Sequence, residues 1–136
     1  IMAKTGTIKV CANCVRVPVF IGHGEMVNVE FADDQEEISR EQVAEAWRKF
    51  RGVTLVDVDT QEQEYATPAE IQGEDDVYIS RLRIDQSLDN GLNFWCVADN
   101  LRKGAALNAI QIAEKLIGRD IGEGADDDDA DAQETA

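Results

Sequence analysis

Two runs of strand-forming residues, VYISRLRID at 77–85 and LNFWCVAD at 92–99, flank a segment that closes on Ser87-Leu88-Asp89-Asn90-Gly91. Asp, Asn and Gly accept the dihedral angles that reverse a chain, so turn residues between two extended runs specify a hairpin. The second run carries apolar residues on both faces near its end, which suits a strand with neighbours on both sides. A central strand inside a hairpin commits the chain to a sheet, and the other segments must be arranged around it.

MVNVEF at 26–31 alternates cleanly and predicts a half-buried strand with Val27, Val29 and Phe31 inward. Ahead of it, TIKVCANCVRVPVF at 7–20 is β-branched and predicts a strand in two phases, broken near Cys14, because Ile8 and Val10 alternate one way and Val15, Val17 and Val19 the other. Arg16 would then point away from the face that Val15 and Val17 bury. Gly22-His23-Gly24 reads as a tight connection. Ser39 and Gln42 form a capping box ahead of a helix whose stripe is Val43, Trp47 and Phe50, with Gly52 as its left-handed stop. VTLVDVD at 53–59 is the next strand, and residues 60–76 form a polar loop containing Thr67-Pro68. LRKGAALNAIQIAEKLI at 101–117 is the strongest helix, with Ala105, Ala109, Ile112 and Leu116 on one face and Gly118 ending it. The order ββαβββα, with strands joined mainly as hairpins, predicts an α+β fold: an antiparallel or mixed sheet with helices packed on one face. No Gly-rich loop joins a strand to a helix at the start of a βαβ unit, so the chain carries no Rossmann half.

The net charge of -15 is unevenly spread: residues 123–136 hold seven acids and no base, leaving 21 acids against 13 bases before them. A disordered acidic tail is expected over 123–136, after one ordered domain over 1–122. The body offers no basic patch for nucleic acid or an anionic membrane, and no apolar run is long enough to span a bilayer. The opening IMAKTGTIKV lacks the pattern of a signal peptide. Three cysteines, Cys11, Cys14 and Cys96, with no secretion signal fit free thiols in a reducing compartment, and a cytoplasmic location is expected.

Three residues stand out chemically. His23 is the sole histidine, set between glycines that would leave its ring accessible and let a ligand approach the backbone. Arg16, on a stiff strand, is a fork for a carboxylate or phosphate. Together they describe an anionic substrate held by Arg16 with His23 as acid/base, against the plainer reading of a surface histidine and an edge-strand arginine. Asn100 ends the central strand; it is either the N-cap of the following helix, with Gly104 a close-packing position, or a carboxamide that pairs with another amide, with Lys103 and helix N–H groups facing an anion. Cys11 and Cys14 with His23 and Cys96 could number four zinc ligands. Residues three apart on a strand face opposite ways, however, so no metal is expected and the cysteines are assigned to packing.

CVRVPVFIGHGEMVNVEF, the Thr-Pro pair, VYISRLRID and ADNLRKGAALNAIQIAEKLI together closely resemble the C-terminal half of aspartate-semialdehyde dehydrogenase, over roughly residues 7–118. The resemblance implies a glyceraldehyde-3-phosphate-dehydrogenase-like C-terminal domain that binds substrate and dimerises, with strands 77–85 and 92–99 as candidates for the interface of a homodimer or homotetramer. It implies NADPH-dependent reductive dephosphorylation of L-aspartyl-4-phosphate to L-aspartate 4-semialdehyde and phosphate, in lysine, methionine and threonine biosynthesis. In that chemistry a cysteine thiolate attacks the acyl phosphate and hydride reduces the thioester. His23 matches the family's acid/base, Arg16 its substrate-carboxylate clamp, and Asn100 the asparagine that holds the nicotinamide of NADP in related enzymes. The family's nucleophile and NADP-binding domain lie upstream of these motifs. Cys14 directly precedes VRV and is read as structural, so the chain alone is expected to be inactive. The alternatives are a sister acyl-phosphate reductase of the N-acetyl-glutamyl-phosphate reductase type and a non-catalytic dimerisation module.

Overall fold

The computed structural model describes residues 8–32, 37–56 and 65–119. The expected acidic tail, the boundary at 122 and the later part of the strand predicted over 53–59 lie outside these residues. Four strands form one mixed sheet: β1 (His23–Glu30), β2 (Val53–Leu55), β3 (Val77–Ile84) and β4 (Gly91–Ala98), in the order β1-β4-β3-β2. β3 and β4 are the predicted hairpin, and β4 is central, antiparallel to both β1 and β3. β2 joins β3 in parallel. Asp85 shapes the hairpin turn by accepting from the Ser87 amide and hydroxyl at 2.9 and 2.7 Å.

Helix α1 (Arg40–Arg48) starts as its sequence predicts. The Ser39 hydroxyl accepts from the Gln42 amide at 3.2 Å, and the Gln42 side chain accepts from the Ser39 amide at 2.8 Å. Gly52 takes φ 81° and turns the chain into β2. The predicted stripe needs one correction. Val43 and Trp47 face the sheet, but Phe50 is 59% exposed, and Ala44 at 1% is the helix's most buried side chain. Position 50 lies past the last regular turn, so it no longer follows the 3.6-residue period.

The pairing of β1 with β4 sets the two faces. His23, Glu25, Val27 and Val29 share one face with Leu92, Phe94, Cys96 and Ala98. α1 covers the middle of this face, where Ala44, Leu82 and Leu92 are buried beneath Val29, Val43 and the Trp47–Phe94 edge-to-face pair at 4.9 Å. The far end, with His23, is not covered. On the opposite face, the segment from Ala66 to Ile71 packs on Val97, Tyr78 and Trp95. The apolar residues of β3 and β4 therefore largely fill the chain's own two cores.

Two predicted elements differ. No strand forms over 8–20; Val15 is 82% exposed and Val17, Val19 and Phe20 are exposed as well. β-branched residues fit a pleated surface rather than enforce one, and a strand needs a neighbour to take its N–H and C=O groups. Among the described residues this segment has none. The last helix begins as a π-helical turn (Arg102–Ala106) and continues as α2 (Leu107–Leu116). Its predicted apolar face covers nothing in the described chain: Ile110, Ile112 and Leu116 are all exposed, and Gln111 is the buried residue. No helix among the described residues is long and apolar enough to cross a membrane.

Candidate functional site

The site is assembled where β1 begins, beside the end of β4. His23 is the first residue of β1 rather than part of a turn, and it pairs with Ala98. Its imidazole is exposed. Two residues beyond Ala98, the Asn100 side-chain oxygen accepts a hydrogen bond from the Gly22 amide at 2.7 Å. The side chain thus adds one rung to the β1–β4 ladder just past the strand's end. His23 and Asn100, 77 positions apart in sequence, are brought together by this register.

The glycines flanking His23 have a different task from the one expected of them. Gly22 is buried with φ 101°, and a Cβ there would lie 2.7 Å from the Pro68 Cβ. At Gly24 a Cβ would lie 2.4 Å from the Trp95 ring. The Trp95 indole N–H in turn donates to the Ala66 carbonyl at 2.8 Å. Both glycines let the 66–68 segment and the indole press against the start of β1. Their small size serves packing that fixes the His23 backbone, and the ring stays accessible because α1 does not reach it.

Asp99 holds the same junction from below. It is 3% exposed, and its two oxygens accept from the Gly73 amide at 2.9 Å, the Leu101 amide at 2.8 Å and the Arg102 amide at 3.2 Å. These bonds, that to Gly73 foremost, hold its carboxyl below the usual carboxylate range. Asp99, not Asn100, therefore caps the helix start. The Leu101, Arg102 and Gly104 amides at the helix start are thus taken by Asp99, the last through its backbone carbonyl, and Lys103 donates to the Gln111 side chain at 2.7 Å. Gly104 is not tightly packed either, since a Cβ there would meet Asn100 at an ordinary 3.6 Å.

Arg16 lies on the exposed 8–20 segment, so the side chains of Val15 and Val17 do not set its direction by burial. Among the described residues its guanidinium makes no hydrogen bond or ion pair that would bring it to His23 or Asn100. Cys96 faces the same side of the sheet as His23. Desolvation, with the Glu25 charge opposite it, pushes its thiol up to about 11, which makes it a poor nucleophile at neutral pH. Cys11 and Cys14 are exposed. Among the described residues no cluster of His, Cys, Asp and Glu could hold a metal ion.

A model of the semialdehyde dehydrogenase dimerisation domain matches residues 1–103. The chain belongs to this family. It is 46% identical over 110 residues to the aspartate-semialdehyde dehydrogenase of Rickettsia bellii, covering 81% of this chain and 31% of that protein. It is 42% identical over 109 residues to the enzyme of the same name from Bacillus subtilis, covering 80% and 31%. Its fold superposes on aspartate semialdehyde dehydrogenase II of Vibrio cholerae, solved as a complex with ASA, with a TM-score of 0.64 and 43% identity over 75% of this chain and 29% of that one. The chain thus spans about three-tenths of the length of these relatives, and as a semialdehyde dehydrogenase dimerisation domain it is a C-terminal part of such a protein.

Three residues that build this junction were not singled out as such by the sequence: Trp95, Pro68 and Asp99. Asp99 was open to recognition, because an aspartate two and three residues ahead of helical amides is an Asx turn in waiting. Trp95 and Pro68 were not, because their partners lie 71 and 46 positions away, at Gly24 and Gly22.

Proposed function

We propose that this chain is the substrate-binding and dimer-forming part of an aspartate-semialdehyde dehydrogenase. The complete enzyme would convert L-aspartyl-4-phosphate, NADPH and a proton into L-aspartate 4-semialdehyde, NADP and phosphate, in the shared route to lysine, methionine and threonine. The observation that carries the reading is the exposed His23 imidazole on a backbone held by Asn100, Pro68 and Trp95. A proton-transfer group is effective when its position is fixed while its ring remains open to a ligand.

In this reading His23 exchanges the proton at the reacting carbon's oxygen or leaving group, and Arg16 clamps the substrate carboxylate. Asn100 fits the cofactor by its chemistry: Gly22 occupies its oxygen, so the amide presents Nδ2, the donor a nicotinamide carboxamide carbonyl requires. Bound NADPH supplies the hydride. The nucleophilic thiolate and the nucleotide-binding domain are assigned to the remainder of the enzyme because the family's order of motifs puts both upstream of VRV; burial makes Cys96 unsuited, and Cys11 and Cys14 lie too close to VRV to match. A second copy of the domain is the partner, and the protein works in the cytoplasm.

The test is steady-state kinetics of the complete enzyme. His23→Asn should lower kcat by about 10²–10⁴-fold, the usual worth of a general acid/base. Arg16→Lys should raise KM for the acyl phosphate more than it lowers kcat, because an ammonium cannot replace the bidentate fork. Full turnover by His23→Asn would overturn the assignment. A monomer on sizing at micromolar concentration would remove the dimer.

A further inference from the structure

We propose that Asn100 is a positioning residue for His23, coupling the group bound at its Nδ2 to the placement of the imidazole; this rests on the reading of His23 as the acid/base. A backbone N–H can only donate, so the atom 2.7 Å from the Gly22 nitrogen must be the carboxamide oxygen. That one bond fixes which way the amide faces. Both Nδ2 hydrogens are then directed elsewhere, and among the described residues nothing accepts from them. Gly22 has little room to move away: it is buried, its φ of 101° is set, and Pro68 lies against its Cα. The next residue, His23, enters the ladder opposite Ala98. Asn100, Gly22, His23, Ala98 and Asp99 therefore close a small ring of three peptide links and two cross-strand contacts. A shift of the Asn100 amide is passed to the His23 backbone with no mobile group between them. A carbonyl acceptor drawn to Nδ2 would tighten the same amide on Gly22, and with it the imidazole.

Two substitutions in the complete enzyme separate the oxygen from the nitrogen. Asn100→Asp keeps an acceptor for Gly22, now charged and at least as strong, and removes the Nδ2 donor. Asn100→Ala removes both. Hydrogen exchange of the Gly22 amide, without cofactor, reads the positioning bond directly. Exchange should be protected in the parent enzyme and in Asn100→Asp, and faster by about tenfold in Asn100→Ala, the worth of one lost hydrogen bond. In kinetics, Asn100→Asp should raise KM for NADPH and lower kcat, but by less than Asn100→Ala, because it keeps the bond to Gly22 and loses only the group at Nδ2. Asn100→Ala should lower kcat by about 10- to 100-fold, as a small misplacement of a catalytic group does, and move the limb of the kcat–pH profile that His23→Asn abolishes.

A parent enzyme whose Gly22 amide exchanges as fast as an open loop overturns the proposal without any variant being made. So does an equal loss of kcat in both variants with Gly22 protection unchanged. If His23→Asn retains turnover, the acid/base reading fails while the exchange result for Gly22 still stands on its own.

Discussion

Gly24→Ala tests whether the glycines around His23 exist for packing or for access. An ideal Cβ at position 24 lies 2.4 and 2.5 Å from Cη2 and Cζ2 of Trp95, where carbons in contact sit about 3.5–4.0 Å apart. Backbone or ring must give by about 1 Å. The ring is tethered through its N–H to the Ala66 carbonyl at 2.8 Å. Swinging it aside forfeits about 1 kcal/mol for that bond, and leaving it in place costs about 1–3 kcal/mol of overpacking. Alanine returns about 0.5–1 kcal/mol over glycine within a strand. The net expectation is a loss of about 1–2 kcal/mol, read as a lower urea midpoint by circular dichroism. The diagnostic step is to repeat Gly24→Ala in a Trp95→Phe background, where the offending atoms are gone. There the loss should vanish, so the coupling energy equals most of the single-variant effect. An equal loss in both backgrounds would refute the packing account. A raised substrate KM with unchanged stability in both would restore the reading in which glycine admits a ligand.

Leu92 is 3% exposed between Ala44 and Leu82, so Leu92→Ala should cost about 2–5 kcal/mol in the same denaturation assay, and a loss below 1 kcal/mol would mean that this face is not a packed core. Ser80 is fully buried and its hydroxyl has no hydrogen-bond partner among the described residues, so Ser80→Ala should be neutral or stabilising by up to about 1 kcal/mol; a clear destabilisation would show that the hydroxyl has a partner. Cys96 should resist iodoacetamide at pH 7.5 in the folded protein while the exposed Cys11 and Cys14 react, which mass spectrometry of alkylated peptides resolves. Because the folded thiol titrates near 11 and an ordinary one near 9.0, its burial contributes fully below about pH 9 and is lost as pH rises toward 11; Cys96→Ser should flatten that alkaline decline.

Much of the sheet was legible locally. The capping box at Ser39 and Gln42, the alternation of Val27 and Val29, and the apolar residues on both faces of β4 each state their requirement within a few residues, and the structure meets all three. The strand expected over 8–20 does not form, and α2 forms as a helix but leaves its apolar face exposed, for one shared reason. Both carry the composition of buried elements, Val15 and Val17 in one and Ile110 and Ile112 in the other, yet the described chain supplies no surface to bury them. Propensity records what a segment could pack against, not whether that surface is present.

At the candidate site the division is sharper. The sequence by itself determined which chemistry is available: one imidazole, one guanidinium ahead of it and one carboxamide at a strand–helix junction, in an order that matches a known family. Only the tertiary structure decided how they are held. The antiparallel register of β1 with β4 carries Asn100 to Gly22, and the 66–68 segment and the Trp95 ring close on the two glycines. It also reassigned the helix cap from Asn100 to Asp99, whose third bond reaches back to Gly73. Residue type fixes what a side chain can donate or accept. Which partner it meets depends on contacts far along the chain, and those exist only once the sheet has formed.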